Sequence, residues 1–529
     1  MIEMKERRKN SFLKKISCLV LAAMMMEPVS ACRSKQVANR TDFSQLSMPK
    51  GLDFQFNTTS FEKNGAVGSH DPCLIRDPKS KMYYSYSTDN SVDKNHPGIG
   101  IQIRKSSDLQ HWAYVGIALS EKAIAQAQDN GEGNSITETF WAPDIEYVDG
   151  EFRMYYAATK AFGSNESRIW LAVSKKPEGP FENKGIVVSS WQDGINPEAD
   201  VPNAIDPYII RTPNGKTYLS YGSYFAGIYL KELRPNGFAV NQNRLSKDYF
   251  GICIAKKGDG SLDGPEGSSL LYNKSEGYYY LFLSYGWLGD TYDIRVGRSK
   301  KITGPYVDDR GHSMTASVPG ITTGTKLACS YQFHASKPGG KQNDPNSLWS
   351  WGGFRAPGGG VPFSSGGQYF FAHHIRDGAS INHTESGGQS NYFMHYLMIR
   401  KMYFVDGWPV LSPEPYAGEI DETIQSNYLP GQWEAILFTD NNNDQKTSQA
   451  LDLGTLAPNG KGTLKLADKK GSWSYQSKTN ILTLQIQSPE PVTIRAKVST
   501  CWDLENSRAT ICFTGLTSAG TAVWGKWIN

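Results

Sequence analysis

The chain has 529 residues, enough for about three domains of roughly 150 residues each. Hydrophobic residues make up 39% and charged residues 20%, which excludes an intrinsically disordered chain. The formal charge of +3 is carried by residues 1–31, where six bases face three acids. The remainder is neutral, which argues against nucleic acid and against general adhesion to acidic membranes.

The N-terminus reads as an export signal. Basic residues Lys5 to Lys15 precede an apolar run, Ile16 to Met26, too short to span a bilayer as a mature helix. Val29-Ser30-Ala31 then leads into Cys32. Small residues directly before a Cys resemble the bacterial lipobox, so cleavage after residue 31 would leave Cys32 as a lipidated first residue. The expected location is the cell envelope, with the membrane touched only through that anchor. Residues 32–50 are polar and read as a tether. Cys73, Cys253, Cys329, Cys501 and Cys512 are scattered without a CxxC pair, which argues against a zinc site or a disulfide framework. Cys501 and Cys512 either bridge or stay as buried thiols.

Composition leans all-β, with 28 Tyr, 13 Trp and 52 Gly. Five aromatic runs mark strands: Met82–Thr88, Arg153–Thr159, Thr217–Tyr224, Tyr278–Tyr285 and Tyr369–Ile375. Each follows a turn and another short apolar run, as in a hairpin. Most are followed by a further amphipathic strand, such as Arg168–Ser174 or Asp293–Ser299. Five such units over residues 51–425 predict a five-bladed β-propeller, because radial packing buries both faces of each small sheet. A β-sandwich pair is the alternative.

The repeat exposes its own unusual positions. Twelve residues before equivalent strand tyrosines stand Asp71, Asp144, Asp206 and Glu266. The fifth unit has Pro357 and Gly358 there. If the first strand of each blade is innermost, four acids ring one mouth of the central channel. Asp-Pro alone is a turn signal, but four acids in register demand more. Crowded carboxylates push one another's pKa values apart, leaving one group protonated and another ionised, as glycoside hydrolysis needs. The aromatics Phe140, Trp141, Tyr224, Phe225, Trp287 and Tyr292 flank these acids, either to hold sugar or to pack between blades.

His70-Asp71-Pro72, Trp141-Ala142-Pro143-Asp144, Asn203-Ala204-Ile205-Asp206-Pro207, Glu266-Gly267 and Asp293–Ser299 resemble, as an ordered set, glycoside hydrolase family 43. The Arg295 phrase and Gly407–Glu419 look most like the family's two-domain endo-α-1,5-L-arabinanases, which implies a small C-terminal β-barrel or sandwich over residues 426–529. The resemblance implies an inverting hydrolase with Asp71 as general base, Glu266 as general acid and Asp206 tuning the acid; Asp263 is the alternative acid. It also implies sugar contacts from Trp141, Asp144, Asn203, Ser223 and Arg295. The implied substrate is a plant cell-wall pentose polysaccharide and the implied state a monomer.

The same resemblance implies that in the fifth unit His374 or His373 would help hold one calcium ion in the channel, although calcium prefers oxygen ligands. Gly358-Gly359-Gly360 replaces a Gly-His-Asn phrase common in such enzymes. An exo-acting arabinofuranosidase or β-xylosidase is the second enzymatic possibility, since Lys337–Gly360 could close one end of a groove. A non-catalytic glycan-binding lipoprotein is the alternative of another class.

Overall fold

In this computed structural model the described residues are 42–52, 65–88, 100–129, 140–190, 201–260, 262–333, 353–378, 395–439 and 444–528. The leader, Cys32 and most of Lys337–Gly360 lie outside them.

Four antiparallel sheets follow one another. Cys73–Arg76, Tyr83–Ser87, Gln102–Ser106 and Ala113–Ile117 form β1–β4. After a helix, α1 (Glu121–Gln128), Phe140–Val148, Glu151–Thr159, Ser167–Ser174 and Glu182–Ser189 form β5–β8. Tyr208–Arg211, Thr217–Tyr221, Ile228–Leu233 and Ile252–Ala255 are β9–β12. Glu266–Asn273, Tyr278–Tyr285, Asp293–Ser299 and Thr325–Ala328 are β13–β16. The fifth sheet holds Tyr331–Gln332 (β17), Phe354–Ser365 (β18), Gln368–Asp377 (β19), Tyr396–Val405 (β20) and Trp408–Leu411 (β21).

The first long strand of each sheet touches the next around a closed ring: β1, β5, β9, β13, β18 and back to β1. This is a five-bladed propeller with its first strands innermost. Second-strand aromatics pack between blades, and Tyr86, Tyr156, Tyr221, Tyr280 and Phe371 are fully buried. The four tyrosines keep their hydroxyls satisfied on Pro177 O, Asn183 Oδ1, Phe250 O and Gly407 O. Tyrosine suits this place because its ring is apolar and its tip is not. Residues 66–68 close the ring by pairing beside β20: Gly68 N–H donates to His395 O at 2.7 Å and Leu397 N–H to Ala66 O at 2.8 Å. The buried Arg104 guanidinium donates to Gly65 O and Val67 O and fixes that segment.

The second domain opens with Gly431–Leu437 (β22). Lys446–Thr447 (β23) leaves it to extend the fifth blade beside β17. Gln449–Leu456, Gly462–Leu466, Lys469–Gln476, Ile481–Ile486, Val492–Asp503, Arg508–Thr517 and Ala522–Trp527 (β24–β30) complete a closed eight-stranded barrel with β22. The two domains meet along β30, whose side chains alternate. Val523 and Trp527 fill the barrel, whereas Ala522 and Trp524 join the core of blades four and five. Lys526, also on that outer face, is buried against Glu414, Asp503 and Glu505 at 2.7, 2.9 and 2.5 Å.

One boundary differs from expectation. The segment read as a tether is docked in its last part: Phe43 packs edge-on to Trp527 at 5.0 Å, and Leu46 joins the barrel core. Two apolar side chains in a polar stretch suffice to anchor it. Cys501 and Cys512 are buried free thiols, so they do not bridge.

Candidate active site

Asp71 and Asp206 stand just before β1 and β9 with φ of 47° and 56°. Aspartate tolerates this left-handed conformation better than most residues. Glu266 opens β13, and the amide of the next residue, Gly267, donates to Asp206 Oδ2 at 2.9 Å. Asp71 is gripped on several sides. Its Oδ2 accepts from Thr88 Oγ1 at 3.1 Å and lies 2.7 Å from His70 Nδ1. Its Oδ1 lies 3.4 Å from His374 Nδ1, and its own N–H donates to that nitrogen at 3.2 Å. Thr88 Oγ1 in turn accepts from Ala142 N–H, which ties blade one to blade two. The Asp71 side chain keeps 22% exposure, enough to meet a water.

The three carboxyls are driven apart in proton affinity. Burial alone would raise Asp71, but the attraction and hydrogen bond of His70, with the His374 ring beside the carboxylate, outweigh it and hold the group below the usual carboxylate range. Glu266 is pushed well above its ordinary value by burial, then by the charges of Asp206 and Asp71. Its Oε2 accepts from Ser223 Oγ at 2.7 Å, which only partly offsets that rise. Asp206 is raised to about 8, first by burial and then by Asp71. One site therefore holds an ionised carboxylate and a protonated carboxylic acid together.

Other expected residues fall differently. Asp144 is buried and its Oδ2 accepts from Ile209 N–H at 2.6 Å, so it ties blade two to blade three and offers sugar nothing. Asn203 is buried and donates to Ser164 O. Ser223 holds Glu266. Arg295 is fully buried in blade four, paired with Asp293 at 2.7 Å and donating to Thr322 O, so it cannot reach a sugar in this arrangement. Asp263 is exposed and pairs with Lys257, leaving Glu266 as the acid candidate. Trp141 remains at the mouth, edge-on to Phe162, which is edge-on to Trp287. Phe162 and Trp287 are 66% and 44% exposed, so this row of rings is open to solvent. Phe140 and Tyr292 pack inside, as flanking aromatics often do.

His373 is unavailable to a metal. Its Nδ1 donates to His374 O at 2.8 Å and its Nε2 accepts from Arg400 Nε at 3.1 Å. His374 faces Asp71; burial first, and then the charge of His70, lower it to about 4. Its Nε2 is buried with no hydrogen-bond partner among the described residues. His70, His374 and His395 each bring one nitrogen within 4.8 Å of the others. Calcium takes oxygen ligands, so this nitrogen set makes no calcium cage. An ion at His374 would have to draw its remaining ligands from water.

Sequence reasoning noted Gly359 only as a departure from the family phrase and passed over Thr88. Gly359 has φ of +55°, and a Cβ there would lie 2.3 Å from Asp71 Oδ1 and 2.8 Å from His374 Nδ1. Its N–H donates to Ser284 Oγ of blade four. The missing acid in the fifth unit was the available signal, since a glycine at that point lets a neighbouring carboxylate in.

Comparison with known proteins gives a consistent picture. Residues 66–339 match the family described as glycosyl hydrolases family 43, and residues 413–525 match its C-terminal lipocalin-like domain. An extracellular endo-α-(1→5)-L-arabinanase of Thermotoga petrophila is 29% identical over 86% of this chain and 93% of its own. Endo-α-(1→5)-L-arabinanase 2 of Bacillus subtilis is 29% identical over 87% and 93%. The crystal structure of the Thermotoga petrophila endo-1,5-α-L-arabinanase covers 87% of this chain and 98% of its own, with TM-score 0.69 and 26% identity.

Proposed function

The chain belongs to glycosyl hydrolases family 43, and on that premise we propose that it cleaves α-1,5-linked L-arabinan within the polymer, with inversion at the anomeric carbon. It is a glycosidase, and the roles at its site follow from proton affinity. Asp71 takes a proton from water as the water oxygen attacks the anomeric carbon. The bond to the departing oxygen breaks while Glu266 delivers its proton to that oxygen. Once Asp206 ionises, above about 8, its charge raises the proton affinity of Glu266, and through the Gly267 amide it fixes the backbone beside the acid. Trp141, Phe162 and Trp287 offer faces and edges for furanose rings.

The observation that carries this reading is the opposite displacement of Asp71 and Glu266 within one site. Internal cleavage is favoured because two relatives matched over 93% of their length are named endo-arabinanases. Their names include "extracellular", which supports export through residues 1–31, and Cys32 would then hold the enzyme at the cell envelope. The product profile on linear arabinan tests the substrate reading. A ladder of short α-1,5 oligosaccharides is expected. Arabinose alone from the first minutes, or release only from arabinoxylan, would overturn it.

A further inference from the structure

We propose that Arg400 and His373 are positioning residues for the base Asp71, and that the C-terminal barrel holds them in place through Trp524. The proposal rests on Asp71 being the base. Arg400, on β20, is buried and uses four of its five guanidinium N–H groups. Nε donates to His373 Nε2 at 3.1 Å, Nη1 to Ser412 O and Pro413 O at 3.0 and 2.7 Å, and Nη2 to Tyr331 Oη at 2.5 Å. A guanidinium has no acceptor, so His373 Nε2 must present its lone pair and the ring proton must sit on Nδ1. That proton is donated to the carbonyl of His374, 2.8 Å away. Arg400 thereby dictates the tautomer of His373, and His373 pins the peptide plane of the next residue.

The consequence reaches the base. Neighbouring residues on a strand point to opposite faces, so His373 faces Arg400 while His374 faces Asp71. The His374 ring stacks on His70, with centroids 4.1 Å apart and planes 13° apart. Both imidazoles then touch the Asp71 carboxylate, and His374 Nδ1 also takes the Asp71 N–H. A shift in the His374 backbone would therefore move the carboxylate that must meet the attacking water.

The other end of the relay is in the barrel. Trp524 lies under the Arg400 guanidinium, 5.0 Å from its ring, and edge-on to Tyr331 at 5.0 Å. Tyr331 is the acceptor for Arg400 Nη2, and its strand β17 is extended by β23 from the barrel side. One aromatic wall, built by both domains, thus fixes the plane of the guanidinium.

The test compares Arg400→Lys, His373→Leu, His373→Asn and Trp524→Leu on linear arabinan. Lysine keeps the charge but lacks the fork. Asparagine keeps a donor where Nδ1 stands. Misplacing a reacting group costs about 10- to 100-fold, so Arg400→Lys and His373→Leu should lose kcat by that factor with KM held within about twofold. His373→Asn should recover most of the loss, and Trp524→Leu should fall in between. Calorimetric titration with an arabino-oligosaccharide counts binding-competent molecules, which separates misplacement from unfolding. Unchanged kcat, or a loss only in proportion to that count, would overturn the proposal. If Arg400→Lys does not fold, the two His373 variants decide alone. Asp71→Ala is assayed beside them: activity retained there would remove the base reading and this proposal together, whereas its loss with normal relay variants would remove the relay alone.

Discussion

The amide of Gly267 donates to Asp206 Oδ2 at 2.9 Å, so the residue following Glu266 is bonded to the carboxyl group whose charge, once it ionises above about 8, raises the proton affinity of Glu266. Tuning and positioning of the acid are therefore done by one side chain. Asp206→Asn should remove the charge. Glu266 would then lose its proton at lower pH, and the alkaline limb of the activity profile should move toward acid. The wild-type profile should be a broad bell, since activity needs Asp71 ionised, which holds down to low pH, and Glu266 protonated, which holds to high pH. kcat against pH for both proteins checks the direction of movement.

Glu266→Gln should lower kcat on arabinan by about 10²–10⁴-fold. An aryl arabinofuranoside with a good leaving group should be largely spared, because its departing oxygen needs no proton. Equal losses on both substrates would remove Glu266 as the acid.

Gly359→Ala should cost about 10²-fold in kcat, since a misplaced reacting group carries a penalty of that order. Its Cβ would enter the space of Asp71 Oδ1, and alanine also resists φ of +55°. Circular dichroism melting and kinetics on the same preparation distinguish the local effect from unfolding.

Asp144 is raised to about 8 by burial, from an unperturbed 3.8. Because its folded value is the higher one, it contributes stability that is fully present below 3.8 and lost as pH rises toward 8. Asp144→Asn keeps an oxygen for the Ile209 amide and does not titrate. The melting temperature of the variant relative to wild type should therefore rise between pH 5 and pH 8, by on the order of a few degrees. A difference independent of pH would show that Asp144 does not titrate in this window.

Cys32→Ala should move the protein from the membrane fraction to the soluble one, because two acyl chains hold firmly where none remain. Fractionation of cells expressing each form reads this directly.

The propeller was legible because each unit repeats a tyrosine-rich second strand, and those tyrosines proved to be the packing between blades. The acids were legible because Asp71, Asp206 and Glu266 keep one distance from those strands. Their surroundings were not. His70 and His395 come together only when residues 66–68 pair beside β20, a contact between chain segments more than 300 residues apart. Arg295 looked like a sugar ligand because its phrase is distinctive, yet Asp293, two residues earlier on the same strand, claims it. Asp144 shared the register of the reacting acids, but a bulge between Trp141 and Asp144 turns its carboxyl to a neighbouring backbone. Period and spacing report which positions are equivalent; they do not report which neighbour each side chain meets.

The central claim is that Asp71 activates water on the face opposite Glu266. Proton NMR of the first product released from arabinan, recorded before mutarotation, tests it most directly. An inverting reaction predicts the β-anomer of the new reducing end first. Initial release of the α-anomer would mean a double displacement, and would contradict the assignment of Asp71 as the base.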